Sequence, residues 1–295
     1  MSSVRGVAVL LALLTLAACA DPPSTGSRPS SPAPSPRVEL PAGPDALVLR
    51  VQHVGGFTTP DMLAARLPVV SVYADGRVIT DGPVPAIYPG PALPNLQVTR
   101  LDPAEVRTLA EQALEAGIRE TADLGTPPVA DATTTRFTLV TADGRYVREA
   151  YALRESLPRD LGPAPDAGLT EEQAAARAEL AAFLDELTVP STGTAPVEPY
   201  RPDALAVVVS PWIDPGDGLE HPAQPWPGPP LPGEPLGALP EQTCLTVGGD
   251  QLAPVLDAAR QATSATPWLG ADGARWSLTF RPLLPDESGC ADLVG

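Results

Sequence analysis

The sequence lacks lysine altogether, and Asn95 is its only asparagine. All 19 basic residues are therefore arginine, and they face 36 acidic residues, which gives a formal net charge of −17. A protein that binds nucleic acid needs clustered basic residues to displace counterions from the phosphates. The charge balance therefore excludes nucleic acid as a partner, and an anionic lipid surface would also repel the chain.

Motifs that carry known catalytic chemistry are missing as well. The sequence contains no G-x-S-x-G nucleophile elbow, no H-E-x-x-H zinc motif and no glycine-rich phosphate loop. Its two histidines are His53, which shares a predicted strand face with aliphatic residues, and His221. We interpret His53 as a core or edge histidine, with a role as base or ligand as the alternative. We therefore predict no catalytic residue and no cofactor.

A long hydrophobic run is also absent, because the run from Gly6 to Leu16 is too short to cross about 30 Å of hydrocarbon. Its length is typical of the apolar region of a signal peptide. The run ends in Leu16-Ala17-Ala18-Cys19, which resembles the lipobox of bacterial lipoproteins. That resemblance implies cleavage of a signal peptide (1–18), a diacylglyceryl group on Cys19, and often acylation of the new amine, for example with palmitate. The alternative is an ordinary secretory signal that leaves Cys19 as a spare thiol.

The segment that follows predicts how the protein is held. Residues 19–44 are rich in Pro and Ser and poor in large apolar side chains, so we expect a disordered tether. Two acyl chains would anchor it stably, whereas one chain would be marginal. The stretches GGF, YADGRV, YPGPALP and RPLLPDE are similar to uncharacterised secreted lipoproteins of high-GC Gram-positive bacteria. We expect a lipid-anchored location on the extracytoplasmic face of the cell membrane.

The folded part is predicted to be α+β, with antiparallel β-hairpins packed against a few amphipathic helices. We expect an N-terminal block (45–189), a linker (190–203) and a C-terminal block (204–295). The last of these holds a Pro/Gly-rich loop at 211–240, which carries too many prolines for a packed element. In that loop, a cation site of Asp214, Asp217, Glu220 and His221 is conceivable, but a solvated acidic loop fits the spacing better, and we predict no metal site.

Two helices have clear start signals: Asp102-Pro103-Ala104-Glu105 and Thr170 with Gln173, which are both capping boxes. Ala-Asp-Gly occurs between apolar runs three times and predicts hairpins with two-residue loops. The expected cross-strand pairs are Val72–Ile79, Tyr73–Val78, Val140–Val147, Thr141–Tyr146 and Leu269–Trp276. Strand, helix and hairpin recur in that order at 96–151 and 243–281, which suggests either a duplicated β-α-β-β unit or convergence on a favoured turn.

Two cysteines remain beyond the lipobox, Cys244 and Cys290. In an exported chain this even pair predicts a disulfide, with a free thiol or a redox pair as the alternative. One polar cluster lies beside a predicted strand and is our candidate binding loop, with an ordinary strand entry as the alternative reading. Its members are Asp131, Thr133, Thr134, Thr135 and Arg136.

These observations favour a non-catalytic binding or structural module of the cell envelope, attached to the membrane through Cys19, with an envelope protein or a cell-wall component as its partner. The first alternative is an envelope hydrolase that uses carboxylates, because acidic residues are numerous, although no spacing singles out a pair of them. The second is the solute-binding lipoprotein of a transporter. That class expects repeated βα crossovers and parallel sheets, which the predicted hairpins disfavour.

Overall fold

The structure is a computed structural model that describes residues 38–157, 168–188, 196–237 and 239–293. The signal peptide, Cys19 and most of the predicted tether lie outside the described residues, as do the first six positions of the predicted linker. The chain from Val38 onward forms one compact unit. The α+β prediction is confirmed, because the unit consists of two largely antiparallel sheets and four α-helices within the described residues.

The first sheet has seven strands, and every neighbouring pair is antiparallel. Its strand order is β6-β5-β1-β2-β3-β4-β7. The strands are β1 (Leu47–Gly55), β2 (Val70–Tyr73), β3 (Arg77–Asp81), β4 (Leu96–Arg100), β5 (Thr133–Thr141), β6 (Gly144–Tyr151) and β7 (Glu198–Pro199).

The second sheet has six strands in the order β10-β11-β8-β13-β12-β9. Its pairs are antiparallel except for the short parallel pair of β12 and β9. The strands are β8 (Ala204–Pro211), β9 (Gln224–Pro225), β10 (Glu234–Leu236), β11 (Leu239–Gly248), β12 (Trp268–Leu269) and β13 (Arg275–Pro282). The helices are α1 (Pro60–Ala64), α2 (Pro103–Glu115), α3 (Glu171–Thr188) and α4 (Leu252–Arg260).

Both predicted capping boxes are confirmed. At the start of α2, the Asp102 carboxylate accepts from the Glu105 backbone N–H while the Glu105 carboxylate accepts from that of Asp102. Thr170 and Gln173 make the same reciprocal pair at the start of α3. Each box satisfies backbone donors that the first turn of a helix leaves without partners.

The first hydrophobic core lies between the first sheet and helices α2 and α3. Leu49 and Val51 of β1 and Phe137 and Leu139 of β5 point into it, because successive side chains of a strand alternate between its two faces. Burial of each large aliphatic or aromatic side chain stabilises the fold by about 1.5–3 kcal/mol. The fully buried members include Leu49, Val51, Phe137, Leu139, Val106, Ala110 and Leu180.

The second core shows that the Pro/Gly-rich loop is more ordered than predicted. Trp226, from the middle of 211–240, packs edge-on against Trp268 with ring centroids 5.7 Å apart and also contacts Phe280. Its indole N–H donates to the Pro229 carbonyl at 2.6 Å. The segment also supplies the edge strands β9 and β10, so the prediction that no part of it is a packed element was wrong. Large apolar rings can pack between prolines wherever the backbone needs few ladder bonds.

The hairpin registers differ from the predicted ones because none of the Ala-Asp-Gly motifs forms the expected two-residue Asp-Gly loop: two form three-residue loops, and one forms a loop of Ala142 and Asp143. Val72 pairs with Val78, since Gly76 adopts a left-handed φ of 89° and closes a three-residue loop onto the Tyr73 carbonyl. Such loops shift the register by one residue relative to a two-residue turn. None of the five predicted pairs forms. The observed pairs are Val72–Val78 and Ser71–Ile79 in the first hairpin, Val140–Arg145 and Thr141–Gly144 in the second, and Trp268–Trp276 in the third.

The β-α-β-β order does recur, as β4-α2-β5-β6 and as β11-α4-β12-β13. The strands take different places in the two sheets, however. In the first sheet the first strand of the hairpin, β5, is the inner one and pairs with β1. In the second sheet the second strand of the hairpin, β13, is the inner one and pairs with β8. The two segments therefore share an element order without sharing a topology.

The proline-rich segment and the disulfide each hold distant parts of the chain together. The proline-rich segment after β3 runs to the second sheet's helix α4, where the Ala92 N–H donates to the Ala262 carbonyl at 3.2 Å. The predicted disulfide is present, with Cys244 and Cys290 bonded and their Cα atoms 6.0 Å apart. It holds the C-terminal segment against β11.

No helix among the described residues is long and apolar enough to cross a membrane.

Candidate functional site

A cavity of about 510 Å³ lies between the two sheets, on the face of the first sheet that points away from α2 and α3. One side is formed by β1, β5, β6 and the α1 region, and the other by the second sheet and the C-terminal segment. We call it the arginine cavity. Its charged and histidine lining residues are Arg50, His53, Arg66, Arg136, Arg145, Arg281, Glu287 and Asp292.

The charge of this lining is opposite to that of the whole chain. Five arginines against the two carboxylates of Glu287 and Asp292 leave it with a formal charge of +3, whereas the chain carries −17. A cavity with one sign of charge and low-dielectric walls concentrates the electric field and attracts ligands of the opposite sign.

Three of the five arginines are already paired with carboxylates. Arg50 donates to Asp286 at 2.6 Å and Arg136 donates to Glu149 at 2.6 Å. Arg281 donates to Glu287 at 2.8 Å, and both of those side chains are less than a tenth exposed. These ion pairs fix the shape of the cavity wall.

Arg66 and Arg145 have no carboxylate partner among the described residues. Arg66 donates to the backbone carbonyls of His53 at 3.2 Å and Gly55 at 2.7 Å. Arg145 is exposed, and within the described part of the chain its side chain makes neither a hydrogen bond nor an ion pair. The buried Nε of Arg281 also lacks an acceptor. Arg66 and Arg145 therefore carry the positive charge that no carboxylate compensates, and both guanidinium groups keep N–H donors that make no hydrogen bond within the described part of the chain.

One part of the wall is a network around Arg50. Its guanidinium donates to Ser71 Oγ, Tyr73 Oη and Asp286 Oδ1, and Tyr73 Oη donates to the same carboxylate oxygen at 2.8 Å. Burial acts to lower the pKa of Arg50, but Asp286, Tyr73 and Glu287 outweigh it and raise the pKa. Burial raises the pKa of Tyr73. Both groups therefore keep one protonation state across the physiological pH range.

The C-terminal segment supplies the opposite wall. The Glu287 carboxylate accepts from Arg281 and from the Leu284 backbone N–H, at 2.8 Å each. The Asp292 carboxylate accepts from the backbone N–H groups of Ser288 and Gly289. The Ser288 backbone bond is the largest cause of the lowered pKa of Asp292. Both carboxylates are thus engaged as hydrogen-bond acceptors.

The candidate binding loop is divided by the structure. Asp131 precedes β5 with a left-handed φ of 57°, and the other four members open that strand between β1 and β6. Among the five, Arg136 alone lines the arginine cavity. Thr133, Thr134 and Thr135 are ladder residues there, which fits the strand-entry alternative.

His53 lies at the rim of the arginine cavity and is partly buried. Burial first, and then the charge of Arg66, lowers its pKa, so the ring is neutral at pH 7. Its Nδ1 is 3.4 Å from Thr135 Oγ1, but Thr135 is only 2% exposed and does not line the cavity. This pair therefore does not present an activated hydroxyl to a ligand.

The acidic loop is held together by hydrogen bonds. Asp217 accepts from Tyr88 Oη at 2.8 Å and from the Leu219 N–H at 2.9 Å, and it lies 3.1 Å from His221 Nε2. The Leu219 bond is the main cause of the lowered pKa of Asp217. Within the described ranges, no three His, Cys, Asp or Glu side chains are arranged to hold a metal ion.

A second cavity, of about 720 Å³, lies between the proline-rich segment, β7 and α4. Its lining is dominated by prolines and aliphatic residues, with Arg201 and Arg260 as its charged groups. It is larger than the arginine cavity but lacks a comparable set of convergent polar groups.

Of the arginines of the first cavity, only Arg136 was identified from the sequence, as part of the candidate binding loop, although a signal for Arg50 was also present. Arg50 and Arg136 occupy alternate positions in strands whose other face carries core residues such as Leu49, Val51 and Phe137, so they had to point away from the helices. The partner segment, including Arg281, is more than a hundred residues away in the chain, and sequence patterns do not place it.

No protein-family model, no curated protein and no solved structure matches this chain.

Proposed function

We propose that this protein is a lipid-anchored binding module of the cell envelope, attached through Cys19 to the extracytoplasmic face of the membrane. It binds its ligand or partner in the arginine cavity and does not convert it chemically. The observation that carries the proposal is the contrast between the +3 lining of this cavity and the −17 of the chain. The partner is an envelope protein or a cell-wall component.

The anchored location is supported by the sequence and is compatible with the fold. The lipobox-like Leu16-Ala17-Ala18-Cys19 and the Pro/Ser-rich segment after it precede the compact unit that starts at Val38. The Cys244–Cys290 disulfide fits an oxidising compartment outside the cytoplasm.

A binding role is favoured over a carboxylate hydrolase. A hydrolase of that type needs a carboxyl that stays protonated near neutral pH and so has a raised pKa. Asp292 has a lowered pKa, and the Glu287 carboxylate is paired with buried Arg281. Burial raises the pKa of Asp81, but Asp81 lines neither cavity. A solute-binding role in a transporter is disfavoured because the sheets are antiparallel apart from the short β9–β12 pair.

The anchor is tested by Cys19→Ala, with Thr25→Ala as a matched substitution beyond the lipobox. Two acyl chains hold a protein on a membrane and their loss releases it. We expect Cys19→Ala in the medium or the soluble fraction, and Thr25→Ala in membranes and in the detergent phase. Continued membrane retention and detergent partitioning of Cys19→Ala would refute the anchor.

The binding site is tested by placing a photoreactive amino acid at Leu63, which lines the arginine cavity and is 38% exposed. The control position is Leu219 on the acidic loop, which is 51% exposed and lines neither cavity. Irradiation of intact cells should give a discrete adduct at Leu63 and none at Leu219, with mass spectrometry to identify it. Equal labelling at both positions, or none at Leu63, would count against the cavity as the binding site.

A further inference from the structure

The chemistry of the arginine cavity identifies a class of ligand. We infer that it binds an oxyanion-bearing ligand, with carboxylate or phosphate groups, and that Arg145 is a principal contact. This inference rests on the proposed function, because it assumes that the cavity is the binding site and adds what binds there.

Three of the arginines lie on neighbouring strands of one sheet face. Gln52 pairs with Arg136, so Arg50 lies one strand across from Arg136 and two residues along it. Arg50 also pairs with Thr138, and Thr138 with Val147, so Arg145 lies two strands across from Arg50 and two residues along. Two residues span about 7 Å and adjacent strands are about 5 Å apart. Arg136 and Arg145 are therefore displaced from Arg50 in opposite directions along the strands, and all three line the same cavity.

Hydrogen-bond donors remain available on this face. A guanidinium has five N–H donors in a fixed fork. Arg145 uses none of them within the described part of the chain, and Arg66 uses one nitrogen, Nη1, for its two carbonyl contacts. Arg136 meets Glu149 through Nε. Planar forks of this kind match carboxylate and phosphate oxygens in paired, charge-assisted hydrogen bonds.

A second observation, independent of surface charge, comes from the interior. Arg281 is 3% exposed and lines the cavity, but its Nε has no acceptor. A buried polar group without a partner is costly, and an ion bound nearby is one arrangement that compensates for it. An anion in the cavity would offset the charges of Arg66 and Arg145, which have no carboxylate partner among the described residues, whereas Arg281 already has Glu287 as its counter-ion.

The size of the cavity restricts the ligand. A volume of about 510 Å³ lies within the roughly 300–1,000 Å³ of typical small-molecule sites. It accommodates a small polyanion or one anionic unit of a larger partner. A long nucleic acid is not compatible with the acidic surface outside the cavity.

The test is a calorimetric titration of the full-length protein in non-ionic detergent at low salt. The probes are citrate for carboxylates and pyrophosphate for phosphates, and a preference for one of them identifies which group the site takes. Arg145→Gln is compared with Arg119→Gln, which removes the same charge from an exposed residue that lines neither cavity. Equal unfolding midpoints for these variants and the unmodified protein establish that both are folded.

We expect at least one probe to bind, Arg119→Gln to bind it as the unmodified protein does, and Arg145→Gln to bind it about tenfold more weakly. Arg145→Lys keeps the charge without the fork, so its affinity should lie between the two. Added salt should weaken binding, because exposed charges are screened.

The inference is overturned if neither probe binds, or if Arg145→Gln and Arg119→Gln weaken binding equally. The in-cell adduct at Leu63 separates these failures from failure of the proposed function. If the adduct persists while no anion binds, the cavity is a binding site for another class of ligand. If the anion binds but no adduct forms, the proposed envelope function fails and the anion site remains.

Discussion

Replacement of Arg177 by methionine should destabilise the protein, although Arg177 lines neither cavity. This arginine of α3 is 0% exposed, and burial lowers its pKa. Its guanidinium donates to Ser156 Oγ at 2.9 Å, to the Leu124 carbonyl at 3.1 Å and to the Tyr151 carbonyl. It therefore connects α3 to the end of β6 and to the loop before β5.

The loss of stability in Arg177→Met is estimated from the hydrogen-bond acceptors that methionine leaves without a donor. Two buried carbonyls lose a charged donor, at about 1–3 kcal/mol each, while the cost of burying a charge disappears. The guanidinium's own hydrogen bonds already offset much of that cost, so the lost bonds should dominate. We expect the free energy of unfolding to fall by about 2–4 kcal/mol.

The assay is urea unfolding of the oxidised protein followed by far-ultraviolet circular dichroism, which reports on both sheets. Arg177→Lys keeps the charge, but its donors lie on one nitrogen and cannot reach the three acceptors that Nε, Nη1 and Nη2 bond. The free energy of unfolding of Arg177→Lys should therefore lie between those of Arg177→Met and the unmodified protein. Ser156→Ala removes one acceptor and should cost about 1–2 kcal/mol. If Arg177→Met unfolds at the same urea concentration as the unmodified protein, or higher, with an unchanged slope, this reasoning is refuted.

Two further predictions concern the disulfide and pH. Because the bridge joins cysteines 46 positions apart, the double change of Cys244 and Cys290 to serine should lower the free energy of unfolding by about 4 kcal/mol in urea; an unchanged midpoint would contradict this. The pKa of His53 is lowered in the folded protein, so the unfolded chain binds the proton more readily. The contribution of neutral His53 to the free energy of unfolding is therefore complete above about pH 6.5 and is lost as the pH falls through the folded-state pKa. His53→Gln should therefore flatten the dependence of stability on pH between 7 and 5, and an identical slope would show that His53 does not contribute.

The parts of the fold that could be predicted from the sequence are those set by neighbouring residues. The capping boxes of Asp102 with Glu105 and of Thr170 with Gln173 involve residues three positions apart, so the sequence alone identifies them. Strand alternation likewise identified β1.

Hairpin registers could not be predicted in the same way, because one motif forms two loops. Ala-Asp-Gly closes a three-residue loop after Tyr73, with Gly76 left-handed. In the second hairpin Gly144 instead pairs with Thr141, which leaves Ala142 and Asp143 as the loop. The flanking strands and their packing select between these forms, and this information is not local.

The candidate site depends on still longer-range contacts. Arg50 and Asp286 are 236 positions apart and form the ion pair that helps to shape the cavity wall. An excess of arginine on alternate strand positions of an acidic chain signals a polar face, but it does not indicate which segment covers that face. The candidate loop at 131–136 contributed only Arg136 to the cavity for the same reason.

The most direct test of the account combines both proposals in one measurement, the yield of the Leu63 photo-adduct in intact cells. The protein is compared with its Arg145→Gln and Arg119→Gln variants at equal expression. The account predicts that Arg145→Gln lowers the yield several-fold while Arg119→Gln leaves it unchanged. An adduct that forms equally in all three proteins would contradict the claim that the arginine cavity recognises its ligand through charge.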